Sequence, residues 1–271
     1  MSHAYSFKHF TVEFPAEHKY VAHVEINRAD KMNAFFEAMW LELGQIFNRL
    51  SEDSSVRAIV LSGAGEKAFT TGLDVKAASE GLLSEGTDID PARKAAQMRR
   101  HVAEMQDCIS AVERCEKPVV PSISSTAADV RLCSKDVRFS VKEVDIGLAA
   151  DLGTLSRLPK VVGSSSWVKE VALTARIFGA EEALRVGFVS AVHENRQATI
   201  TAALKMATFI ASKSPVAVQG TKEVLNFSRD HSVQDGLRYV GVWNSAALQT
   251  KDVSTALLSG LQKRIPTFEK L

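Results

Sequence analysis

The chain opens on two stretches in which apolar and polar residues take turns, Phe10-Thr11-Val12-Glu13-Phe14 and Val21-Ala22-His23-Val24-Glu25-Ile26. A period of two is that of a half-buried strand. Asn27-Arg28-Ala29-Asp30 breaks the alternation, and from Asn33 the period lengthens. Phe36, Met39, Trp40, Leu43, Phe47 and Leu50 then fall on one stripe of a helix. Residues 56–62, with Ala58-Ile59-Val60-Leu61 at their centre, are a continuous apolar run, as expected of a strand buried on both faces.

Gly63-Ala64-Gly65 marks a turn, and a short segment then runs through Phe69 to Gly72. Residues 79–91 carry Gly81, Gly86 and several acids, which predicts a surface loop. A long helix follows with its stripe at Met98, Val102, Met105, Ile109 and Val112, and stops before Lys117-Pro118, where proline disfavours continuation. Val119-Val120 and residues 137–141 predict further strands. Beyond them the chain reads as helices over 167–174, 180–185, 199–211, 216–227, 233–248 and 252–263, with Ser214-Pro215 suited to a helix entry. The fold class is therefore α/β with a helical C-terminal region, divided here into 1–195 and 196–271.

Composition narrows the function classes. The 271 residues are 45% hydrophobic and 24% charged with a net charge of +1, so neither nucleic acid nor an anionic membrane is an expected partner. Cys108, Cys115 and Cys133 form no CxxC pair and imply reduced thiols rather than a disulfide framework or a zinc site. No segment is long and apolar enough to predict membrane insertion. The chain ends Phe268-Glu269-Lys270-Leu271, whose last two residues match the Ser-Lys-Leu peroxisomal address. Glu269 departs from it, and a frayed helix end would give the same letters.

Two places invite chemistry. At Lys67-Ala68-Phe69-Thr70-Thr71-Gly72-Leu73-Asp74 a strand stops at a glycine where a helix is about to start, so backbone N–H groups could face an oxyanion. A plain turn capped by Asp74 would produce the same sequence. Asp151 lies in the apolar run Leu148-Ala149-Ala150-Asp151-Leu152, where an unpaired buried carboxylate would cost several kcal/mol. It is thus a helix cap or a working group. Glu143 is a second candidate, or else an exposed residue paired with Lys142 or Arg138.

Lys67-Ala-Phe-Thr-Thr-Gly-Leu-Asp-Val75 resembles the oxyanion-loop motif of the enoyl-CoA hydratase/isomerase (crotonase) superfamily, and the stretch from Asn27-Arg28 to Asn33-Ala34 resembles its early CoA-contacting loop. Residues 141–155, containing Glu143 and Asp151, resemble the dienoyl-CoA isomerase branch, as do residues 212–219 and 228–233. The resemblance implies a spiral of ββα units in a homo-trimer or hexamer, with the C-terminal helices packing between subunits, and an acyl-CoA thioester as substrate. It implies no metal and no separate cofactor. Leu73 would supply the first oxyanion N–H. Lys31, Met32, Asn33, Ala34, Thr71, Gly72, Asp74, Val75 and Lys76 would line the CoA, and Lys263 would reach its phosphates. Glu143 and Asp151 would move a proton along a conjugated acyl chain, Glu143 at C2 and Asp151 at C6. An enoyl-CoA hydratase shares the glutamate but usually has a small residue in place of Asp151.

In one place the chain departs from that pattern. Only Pro121-Ser-Ile-Ser-Ser-Thr-Ala127 stands where the family has a Gly-rich loop carrying the second oxyanion N–H and, in this branch, a third carboxylate. That departure makes a catalytically impaired CoA-binding subunit one alternative; an enoyl-CoA hydratase is the other. The expected location is peroxisomal, with the mitochondrial matrix or cytoplasm as alternatives.

Overall fold

In a computed structural model, which describes residues 5–82, 89–122 and 125–271, the predicted order of elements holds. Strands β1 (Phe10–Glu13) and β2 (Val21–Ile26) precede helix α1 (Glu37–Glu52) and strand β3 (Ala58–Gly63). Helices α2 (Val75–Leu82) and α3 (Pro91–Arg114) lead to strands β4 (Val119–Pro121), β5 (Leu132–Ser134) and β6 (Arg138–Phe139). Helices α4 (Thr154–Val162) and α5 (Ser165–Thr174), strand β7 (Phe178–Gly179), helix α6 (Ala180–Arg185) and strand β8 (Ala191–His193) follow. The C-terminal helices are α7 (Arg196–Ala211), α8 (Pro215–Arg229), α9 (Val233–Ala247) and α10 (Lys251–Leu261).

The main sheet has the order β1-β2-β3-β4. β1 is antiparallel to β2, with Phe10 opposite Ile26. β3 runs parallel to both neighbours, with Val21 opposite Ala58 and Ile59 opposite Val119. Strand alternation sorts the side chains into two cores. Ala22, Val24, Ile26, Ile59 and Leu61 join Leu43, Phe47 and Val112 from α1 and α3. Val21, Ala58, Val60 and Val120 meet Ala203, Ala207 and Ala211 of α7 on the other face. Covering on both faces is why all six β3 residues are buried and why their sequence does not alternate. A third core gathers Phe139, Leu158, Trp167, Phe178 and Phe188 around β6 and α4 to α6, with edge-on ring contacts.

Several expectations shift. The helix expected from Asn33 begins at Glu37, because Met32 and Asn33 adopt the left-handed conformation at φ 49° and 55°. α3 starts at Pro91, earlier than its apolar stripe, with Asp90 accepting from the Ala92 and Arg93 N–H groups. The loop expected over 79–91 is helical through Leu82, and residues 83–88 lie outside the described part. The strand expected over 137–141 shrinks to Arg138–Phe139, paired only with β7. β5 and β8, three residues each, are too short to show a period and went unpredicted.

Candidate active site

The loop between β2 and α1 is built around Asn33. Its side chain is fully buried; its Oδ1 accepts from the Arg28 N–H at 3.0 Å, and its Nδ2 donates to Ala64 O at 2.9 Å and Ala68 O at 2.8 Å. Asn33 therefore pins its own loop to the one after β3, and its side chain is closed to the expected CoA contact. Ala34 is also buried, its carbonyl accepting from Arg28 Nη1 at 2.7 Å. Lys31 is exposed and Met32 is 47% exposed. Beside them a cleft of about 390 Å³ is lined by Ala29, Asp30, Met32, Gly65, Glu66 and Lys67, among others, within the range of small-molecule sites.

The 70–76 segment runs against this loop. The Phe35 N–H donates to Gly72 O at 2.7 Å and the Asp74 N–H to Phe35 O at 2.8 Å, forming a parallel bridge between Phe35 and Leu73. In that geometry the residue between the two bonded peptides keeps its own N–H on the opposite side. Leu73, 41% exposed, thus presents its N–H away from the ladder. Gly72 sits at φ 80°, which only glycine adopts without cost, and its N–H is held by Thr70 Oγ1 at 3.0 Å. Thr71, Val75 and Lys76 are exposed around it.

Asp74 differs from the expected ligand contact. Its Oδ1 accepts from the Ala77 N–H at 3.2 Å and its Oδ2 pairs with Arg28 at 2.8 Å. The Ala77 N–H and then Arg28 hold its pKa below the ordinary carboxylate value. Asp74 is the cap of α2 and ties that helix to the 28–34 loop, so the cap and oxyanion-loop readings of this segment are compatible. Lys263 is exposed just past α10 at φ 53°. Among the described residues no hydrogen bond or ion pair joins it to these loops.

Glu143 opens a short 3-10 turn, Glu143–Ile146. Lys142 pairs with Asp145 at 2.8 Å, so it is not the partner of Glu143. The Glu143 Oε2 atom is buried with no hydrogen-bond partner among the described residues. Leaving such an atom unsatisfied costs about 1–3 kcal/mol or more, which makes a working role more economical than a structural one.

Asp151 is exposed rather than buried, because the run 148–152 forms a surface loop and not a core segment. It is not a cap either: the N-cap of α4 is Gly153, with no side-chain cap bond. The loop is bracketed by left-handed glycines, Gly147 at φ 81° and Gly153 at φ 103°. It is held from α3 by residues that the sequence reading missed. Gln106 Nε2 donates to Asp151 O at 2.6 Å. Arg157 donates to Ser110 Oγ at 2.8 Å and to Glu113 Oε2 at 2.9 Å, and Arg229 of α8 also pairs with Glu113. These groups and Asp151 line a polar cleft of about 310 Å³.

A model of the enoyl-CoA hydratase/isomerase family matches residues 16–270. The chain belongs to that family. A human relative, mitochondrial Δ(3,5)-Δ(2,4)-dienoyl-CoA isomerase, is 44% identical over 267 residues, covering 93% of this chain and 80% of its own. The peroxisomal protein of the same name from Arabidopsis thaliana is 41% identical, covering 93% of both chains. The crystal structure of enoyl-CoA hydratase from Bacillus anthracis is similar at TM-score 0.85 and 25% identity, over 97% of this chain and 99% of that one. The fold is the crotonase fold, and the missed contacts come from α3. Gln106, Ser110 and Glu113 fall at i, i+4 and i+7, each one residue after a stripe position, on the face flanking the apolar stripe. That spacing was visible in the sequence; the loop it would grip was not.

Proposed function

We propose that this enzyme isomerises 3,5-dienoyl-CoA to 2,4-dienoyl-CoA in fatty-acid β-oxidation. The observation that carries the reading is the unpartnered, buried Glu143 Oε2, eight positions before an Asp151 carboxylate that is also not used as a cap. The relatives' names point the same way.

Glu143 takes a proton from C2. The charge left behind spreads over the thioester oxygen, C4 and C6, and the Leu73 N–H stabilises the oxygen. Asp151 delivers a proton at C6, so that the double bonds move to C2=C3 and C4=C5 with no net loss of protons. The cleft beside Met32 and Lys67 takes part of the CoA, with Lys31, Thr71, Val75 and Lys76 at its rim and Lys263 at the phosphates. No metal or separate cofactor enters this scheme.

Exposed apolar residues on α8 to α10, including Leu225, Leu237, Val242 and Leu257, support a homo-trimer or hexamer built through these helices. Location in peroxisomes or mitochondria fits the relatives, which carry both peroxisomal and mitochondrial names.

A second reading rests on one observation. Residues 125–128 form a tight turn, the Ala128 N–H bonding to Ser125 O at 3.2 Å, in the stretch where the family has a glycine-rich loop with the second oxyanion donor. Losing one such donor costs about 10²- to 10³-fold in rate, and the chain would then serve as a CoA-binding subunit. Supplying a 3,5-dienoyl-CoA and following the absorbance of the conjugated product separates the two. Turnover supports the isomerase. CoA binding without turnover supports the subunit.

A further inference from the structure

Three successive turns of α3 grip the loop that carries Asp151. Gln106 Nε2 meets the Asp151 carbonyl at 2.6 Å. Ser110 and Glu113 hold the Arg157 guanidinium, which lies directly over Gly153, where a Cβ would collide with Arg157 Nη1. The far end of the loop is thereby fixed by shape and charge. Gly147 and Gly153, both left-handed, set the bends at the two ends of the stretch that carries Asp151. The Gln106 amide is the one side-chain hydrogen bond to the Asp151 residue itself among the described residues. A carbonyl only accepts, so the amide nitrogen must face it.

We infer that Gln106 is a positioning residue for Asp151: by fixing the Asp151 peptide it sets where that carboxylate stands for the proton step. The inference rests on the proposed isomerase function. A carboxylate on a loop free to move by an ångström loses rate even when its chemistry is intact. Gln106 bonds the Asp151 carbonyl and not its carboxylate, so its effect on the proton step passes through the position of Asp151.

The test is a double-mutant cycle on the full-length protein, read by conversion of a 3,5-dienoyl-CoA. Gln106→Met keeps the length and removes the donor. It is expected to lower kcat about 10- to 100-fold with little change in KM, and to have almost no effect when Asp151 is already Asn. Gln106→Lys, which returns a donor at similar reach, should recover part of the loss. Equal kcat for Gln106→Met and wild type, or a loss that is the same in the Asp151→Asn background, overturns the inference. Circular dichroism of each variant identifies a folding failure, in which case the Gln106→Lys comparison with wild type decides. Absence of turnover by the wild type overturns the isomerase reading itself, and the positioning role falls with it.

Discussion

The Arg157 guanidinium lies across Gly153 so closely that the space for a side chain at that position is already filled. Gly153 also sits at φ 103°, in a region that L-residues avoid. Gly153→Ala therefore has to displace Arg157 and strain the backbone together. We expect a loss of about 1–3 kcal/mol in stability, with a fall in kcat larger than thermal unfolding alone explains, because the displaced loop carries Asp151. Denaturant unfolding and steady-state kinetics on one preparation check both parts.

Glu143→Gln keeps the shape of the side chain and removes its basicity. Isomerisation should fall by about 10²- to 10⁴-fold, the range for a lost general base. The midpoint of thermal unfolding should stay level or rise, since the carboxylate oxygen has no partner to lose. A clear drop in that midpoint with activity retained would mean that Glu143 is structural.

Asn33→Ala distinguishes a pin from a ligand contact. The side chain makes three hydrogen bonds to backbone groups of two segments, and its removal leaves buried partners unsatisfied. A destabilisation of about 3 kcal/mol is expected. The correctly folded fraction should bind CoA nearly as well as wild type, as isothermal titration would report.

Glu113 supplies a pH dependence. Burial, the largest single influence, pushes its pKa up, but hydrogen bonds from Arg229 and Arg157 together outweigh it and leave the pKa below the ordinary 4.5. The folded state thus gives up this proton more readily than the unfolded state. The stabilisation is fully present above about pH 4.5 and is lost as the pH falls through the depressed folded value. Thermal melts across that acid range should steepen for wild type and lie flatter for Glu113→Gln.

Much of this architecture was legible from periodicity. α1 and β3 could be read because each buries a long face, and α6 was read residue for residue. What could not be read depended on distant partners. β5 and β8 are strands only because Leu132 and Ala191 pair across the fold. The resemblance places Asn33 along the CoA, and nothing in the sequence signals that its amide is enclosed by Ala64 and Ala68 from a later loop. Asp151 looked buried because its neighbours are apolar, yet Leu148 beside it is 38% exposed. A row of apolar letters does not reveal whether a second element arrives to cover it.

Lys222 of α8 reaches back to Asp129 at 2.7 Å, both largely buried, and Asp129 also accepts from the Val119 N–H at 2.7 Å. An ion stranded there without its counter-ion would cost about 3–5 kcal/mol. Cutting the chain at residue 195 would strand Asp129 and uncover Val21, Ala58, Val60 and Val120 together, as α7 leaves the sheet. The boundary between core and C-terminal helices is therefore a line in the sequence only: one face of the main sheet and the Asp129 charge are closed by residues that come after it, and the whole should melt in one transition.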